Sequence, residues 1–179
     1  EKQLVSMGAY VVIFPDKKYY YTEDPEDMGS LEASATVTGE FDYAPCDVDG
    51  NTYDVTAQDD EPENPSNGDY WLDTGSNTLQ QYSSAMSTWV EVQAVYTKVT
   101  FPSSGALDDF EEGDGVEISG LAYDDLNGTK YIYGIGSDYI VLVGLVEEAS
   151  GVTGTAVISR STPAMDFVIE CQNRLWGCY

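Results

Sequence analysis

Chemistry needs groups that can hold a proton, a metal or an electron pair, and along these 179 residues such groups are nearly all carboxylates: 32 Asp and Glu, seven Lys and Arg, and no histidine. The missing histidine removes the usual general base near neutrality, the commonest zinc ligand and the Ser-His-Asp arrangement together. What remains is the two-carboxylate chemistry of a glycosidase, which needs two acids at a set separation, one of them desolvated. Acids are so plentiful that no pair stands out, and the expectation is a protein that is not an enzyme. The cysteines Cys46, Cys171 and Cys178 lack metal-site spacing. Cys171 and Cys178 flank QNRLWG, a gap that suits a hairpin. With no secretory pattern the expectation is free thiols, a Cys171–Cys178 disulfide being the alternative.

Two further groups have binding potential. Asp47-Val48-Asp49-Gly50-Asn51 resembles the start of a calcium loop, but an EF-hand needs Gly at its sixth position and an acid at its twelfth, where this chain has Thr52 and Gln58. The segment reads instead as a hairpin turning at Asp49-Gly50. No cofactor is expected, and the one opening left is a looser Ca²⁺ site of Asp47, Asp49 and Asn51. The second group is aromatic: Tyr19-Tyr20-Tyr21, then Trp71, Tyr82 and Trp89, then Trp176. Exposed rings of this kind stack on sugars or anchor partners, whereas in strands they more often fill one face of a core. The candidate glycan or partner contacts are therefore Tyr19, Tyr21, Trp71, Trp89 and Trp176, with Tyr20 beside them, and Trp71, Tyr82 and Trp89 are placed to meet across strands.

The elements that must position these residues are short and extended. Runs of Val, Ile, Tyr and Leu are broken every eight to twelve residues by Gly113-Asp114-Gly115, Asn127-Gly128, Gly136-Ser137-Asp138 and Ser150-Gly151, the punctuation of antiparallel hairpins. The fold expected is all-β: an antiparallel small barrel or sandwich with a hairpin meander. Residues 1–38 open with a run over 9–14, read as a strand buried on both faces, and return through the tyrosines as a hairpin. Residues 39–95 form an acidic insert whose 70–73, 78–82 and 88–92 make a three-stranded aromatic meander, after a loop over 58–68. Residues 96–162 form the small barrel or sandwich, and residues 163–179 a C-terminal hairpin turning at Gln172-Asn173. No helix of useful length is expected. The chain opens without Met and stops in an apolar pattern, so a piece of a longer protein is expected.

A formal net charge of −25 argues against a nucleic-acid backbone as partner, which requires clustered Lys and Arg, and against an anionic membrane surface. No apolar run reaches the length of a membrane span. Such a charge reads first as solubility and suppressed self-association, with cation binding or a salt-rich habitat as the sharper alternative.

Three phrases, KQLVSMGAYVVIFPDKKYY (2–20), FEEGDGVEISG with NGTKYIYGIGSDYIVLVGL (110–120, 127–145) and MDFVIECQNRLWGC (165–178), together resemble virion structural proteins of tailed bacteriophages and prophages, chiefly of gut Firmicutes. The GDYWLDT meander is similar to small β inserts in phage tail and fibre proteins. The acidic residues 39–65 lie outside the resemblance. It implies flanking segments that belong to one larger propeller-like sheet, an inserted β module between them, and a tail-associated structural role. Its partners would be other virion proteins, with homo-oligomerisation in the particle. Its location would be the virion, and the bacterial cytoplasm during assembly. The alternative function is a carbohydrate-binding module for host cell-surface glycans.

Overall fold

The computed structural model describes residues 2–178 and is all-β, its one helical element among them a 3-10 turn at Asp124–Leu126. By internal contacts the chain forms two units, residues 2–34 with 159–178, and residues 35–158.

The first unit holds a four-stranded meander: β1 (Gln3–Met7), β2 (Tyr10–Phe14), β3 (Lys18–Tyr21) and β4 (Met28–Ser30), hydrogen-bonded in chain order. β1 and the short β4 were not evident in the sequence. Register sorts the side chains by the two-residue pleat. Val5, Val12 and Tyr19 share one face, while Leu4 and Ile13, and Val11, Tyr20 and Met28, share the other. The run over 9–14 is thus buried on one face only, through Val12 and Phe14. The segment alternates because it pairs in an antiparallel sheet with a single packed side. The C-terminal hairpin β16 (Phe167–Cys171) and β17 (Arg174–Cys178) is a separate two-stranded sheet, turning at Gln172 and Asn173, both with positive φ. The unit's core is small: Val12, Phe14 and Val168, lined by Val5, Leu31, Met165 and Leu175. Gln3 pins the two sheets together, its amide donating to the Asp166 carbonyl while its Oε1 accepts from Val168 N at 3.0 Å.

The second unit is built on seven strands: β5 (Ala33–Cys46), β10 (Tyr96–Thr100), β11 (Gly115–Ser119), β12 (Gly128–Tyr131), β13 (Gly134–Ile135), β14 (Tyr139–Val143) and β15 (Ala149–Arg160). Their order is β12-β11-β15-β5-β10-β14-β13. The edge strands β12 and β13 are joined by only Ile132 and Tyr133, and the three Cα steps from Tyr131 to Gly134 reach no more than about 11 Å, so the sheet rolls until its edges approach. It does not close into a barrel among the described residues. The rolled interior stacks in rows set by register: Tyr43, Val99 and Ile140 form one, and Pro45, Thr97 and Leu142 the next. Thr97 is the one buried polar side chain among the described residues, and its hydroxyl donates to the Gly144 carbonyl at 2.9 Å. Gly120, at φ +83°, lets the loop after β11 lie on β15, for a Cβ there would sit 2.1 Å from the Thr155 carbonyl oxygen.

Two expected turns proved otherwise. Asn127 has φ −93° and braces the loop after β11, its amide donating to the carbonyls of Leu121 and Tyr123 and accepting from Leu121 N. Ser150 and Gly151 lie inside β15, where Gly151 N donates to Asp42 Oδ1 at 2.8 Å.

Between β5 and β10, which pair directly from Cys46↔Tyr96, residues 47–95 form an insert. Its strands β6 (Val55–Gln58), β7 (Tyr70–Asp73), β8 (Thr78–Ser83) and β9 (Thr88–Glu91) are paired in that order, β6 parallel to β7 and the rest antiparallel. The three-stranded meander is as expected; the parallel β6 is an addition, and residues 39–46 belong to the rolled sheet as part of β5.

Candidate functional site

The aromatic candidates fall in three places rather than one. In the first unit, Tyr10 stacks on Tyr21 at 4.7 Å and meets Tyr19 edge-on at 6.0 Å, while Tyr20 points to the opposite face beside Met28. The Tyr21 hydroxyl donates to Glu23 at 2.8 Å. That bond, followed by burial, raises its pKa. Alternation along a strand separates what the run Tyr19-Tyr20-Tyr21 puts side by side.

Trp176 lies on the C-terminal hairpin. The register Phe167↔Cys178, Ile169↔Trp176 and Cys171↔Arg174 places Phe167, Ile169 and Trp176 on one face, where they are 55%, 52% and 56% exposed. Val168 and Leu175 turn to the core on the other. Phe167 and Ile169 were legible partners of Trp176 once the Gln172-Asn173 turn was known, since i and i+2 share a face. All three cysteines are free, Cys171 and Cys178 exposed and Cys46 buried. Cys178 lies opposite Phe167, four residues along the strand from Cys171. That separates their Cα atoms by about 14 Å, twice what a disulfide spans.

The insert gathers the rest. Trp71 and Trp89 meet T-shaped at 5.5 Å, and Tyr82 and Trp89 at 5.3 Å, the cross-strand cluster expected. Trp71 is 9% exposed and its indole donates to the Gln58 carbonyl at 2.9 Å, so it presents no open face. The Trp89 Nε1 is shielded and has no hydrogen-bond partner. Beside this cluster Tyr53 and Tyr70 stack at 4.2 Å and 18°, a pair with no warning in the sequence because the parallel pairing of β6 and β7 creates it. Tyr53, Tyr70 and Trp89 line a cleft of 530 Å³ whose rim carries Asp54, Glu63 and Asp69. Burial, then the neighbouring Tyr70, pushes the Tyr53 hydroxyl up to about 12, so it stays a neutral donor.

The Asp47 loop is a self-contained turn. Asp47 Oδ1 accepts from Asp49 N and Asn51 N at 3.0 and 2.9 Å, and Oδ2 from Asn51 Nδ2 at 2.8 Å. These bonds lower its pKa despite some burial. Gly50, at φ +81°, brings the turn onto β14, where a Cβ would lie 3.1 Å from Tyr139. A second cleft of 360 Å³ lies between the insert and the rolled sheet, with Leu72 and Thr74 on one side and Tyr123, Asp124 and Glu147 on the other. Among the described residues, hydrogen bonds lower the pKa of Glu32, Asp47 and Asp73, the reverse of a general acid held protonated by its surroundings.

Charge is divided as unevenly as the rings. Glu1–Ser34 with Ser159–Tyr179 carries nine acids and five bases, net −4, whereas Ala35–Ile158 carries 23 acids and two bases, net −21. Comparison of the chain with family models, curated proteins and solved structures finds no match.

Proposed function

We propose that this chain is a non-catalytic structural module of a phage virion tail, working by protein–protein assembly through its first unit. The observation that carries the reading is the exposed apolar face of Phe167, Ile169 and Trp176 in the less acidic unit of a strongly acidic chain. Isolated apolar residues on a surface mean little, but three large ones in one row, over a core of three buried residues, favour a contact surface. The two pieces of that unit, 34 and 21 residues long, are in the size range where one core is marginal and association supplies the missing burial. Of the three phrases that together carry the resemblance to virion proteins, 2–20 and 165–178 fall in this unit and the third, 110–120 with 127–145, falls in the other. The acidic second unit remains solvated and limits indiscriminate contact. In this reading the chain meets its partners in the bacterial cytoplasm and resides in the particle.

Sedimentation velocity tests the assembly surface. In dilute buffer the chain is expected to be monomeric, because its own charge opposes association. In about 1 M sodium sulfate, where the Debye length is about 2 Å and apolar burial is strengthened, it associates, and Ile169→Ser with Trp176→Ser stays monomeric. Association of the double variant equal to the parent would overturn the assignment of this face. The second reading, host-glycan binding, would act at the cleft of Tyr53, Tyr70 and Trp89.

A further inference from the structure

We propose that the cleft lined by Tyr53, Tyr70 and Trp89 and rimmed by Asp54, Glu63 and Asp69 is a binding site for an organic ammonium group, on a lysine-like or a quaternary amine. Its 530 Å³ is within the usual range for small ligands. Stacking occupies one face of Tyr53 and one of Tyr70, and both rings still line the cleft. Ring faces attract cations through their quadrupole, most strongly where water is partly excluded.

Charge selects a cation over a neutral sugar. Between residues 19 and 97 the chain has no Lys or Arg, so the rim carboxylates have no basic partner on the insert. The two bases of the second unit are used elsewhere: Lys98 lies 4.0 Å from the Tyr139 ring centroid, and Lys130 donates to the Asp125 carbonyl. The positive group that complements this cleft must therefore come from outside the unit. A sugar would gain from stacking and from hydroxyl donation to the carboxylates but nothing from the net field, whereas a cation gains from the rings, the carboxylates and the field together. No group of three or more Cys, Asp or Glu among the described residues is placed to hold a metal ion, which favours an organic cation over an inorganic one.

The test is titration of the full chain by calorimetry and Trp fluorescence with four probes: tetramethylammonium, Nα-acetyl-lysine methylamide, the uncharged isostere neopentyl alcohol, and chitobiose. At least one ammonium probe is expected to bind about tenfold more tightly than neopentyl alcohol, and which of the two binds better identifies a quaternary or a primary amine as the source. Asp54→Asn with Glu63→Gln, which keeps the rings, should weaken that binding about three- to tenfold. Tyr53→Leu should weaken it with the circular dichroism spectrum unchanged. Equal binding of the neutral isostere, binding of chitobiose alone, or no binding of either ammonium probe at about 50 mM, where a site with a Kd of a few millimolar would be saturated, overturns the proposal.

Discussion

Single side chains in this protein are spent on closing turns and filling rows, and their chemistry follows from that. Asp47 and Asp73 each hold a turn: Asp73 Oδ1 accepts from Gly75 N and Ser76 N at 2.9 and 3.1 Å, and Oδ2 from the Ser76 hydroxyl at 2.6 Å. Each carboxyl group binds its proton less readily in the folded chain than in the unfolded one. Their contribution is complete above the ordinary aspartate range near about 3.9 and is lost as pH falls through the lower folded values. Asp73→Ala is expected to lower the melting temperature at pH 7, and the gap to the parent should close in scans at progressively lower pH below about 4. Cysteine reactivity offers a second check. Cys46 is buried and its thiol is pushed up to about 12 by desolvation, so a thiol reagent should label Cys171 and Cys178 promptly and Cys46 only after denaturation. Prompt labelling of three thiols, or of none, would contradict the positions given to them.

At the scale of elements, the rolled sheet carries most of the buried apolar surface, and its interior rows set the cost of change. Leu142→Ala, which empties the row shared with Pro45 and Thr97, should cost about 2–5 kcal/mol in urea unfolding. Gly120→Ala forces both a positive φ and a Cβ 2.1 Å from a carbonyl oxygen, and should cost upwards of about 2 kcal/mol by the same measurement. The all-β architecture, the aromatic meander and the Gln172-Asn173 hairpin were legible in the sequence, because hydrophobic alternation and turn residues are local signals. The parallel strand β6 was not, since a four-residue run of Val-Thr-Ala-Gln differs from loop only through its partner β7. Nor was the continuity of β5, where Gly39 reads as a break but sits inside a long strand against Pro102. Ser150-Gly151 misled in the same way, as a turn-like dipeptide whose N–H is held by Asp42 across the sheet. At the candidate sites, Trp89 and Trp176 were singled out as candidate contacts, with nothing in the sequence to separate an exposed ring from a core one. Phe167 and Ile169 follow from the Gln172-Asn173 turn, whereas Tyr53 and Tyr70 needed the register between strands, which no single window of sequence contains.

For the molecule as a whole, the informative quantity is the division of charge and core between the units: net −4 over three buried apolar residues in one, net −21 over a rolled sheet filled with large side chains in the other. Self-repulsion weighs on the second unit, so raising NaCl from about 0.02 to 0.5 M, which shortens the Debye length to a few ångströms, should raise its melting temperature. The first unit, with its acids better balanced by bases, should respond less to NaCl and more to sulfate through its apolar faces. Hydrogen–deuterium exchange of the full chain tests this division most directly. In dilute buffer the amides of β1–β4, β16 and β17 should exchange orders of magnitude faster than those of β5, β10 and β14, and should become protected in about 1 M sodium sulfate as the Phe167–Ile169–Trp176 face is covered. Equal protection of the two units in dilute buffer would mean that the first unit is complete without a partner, and would contradict the account.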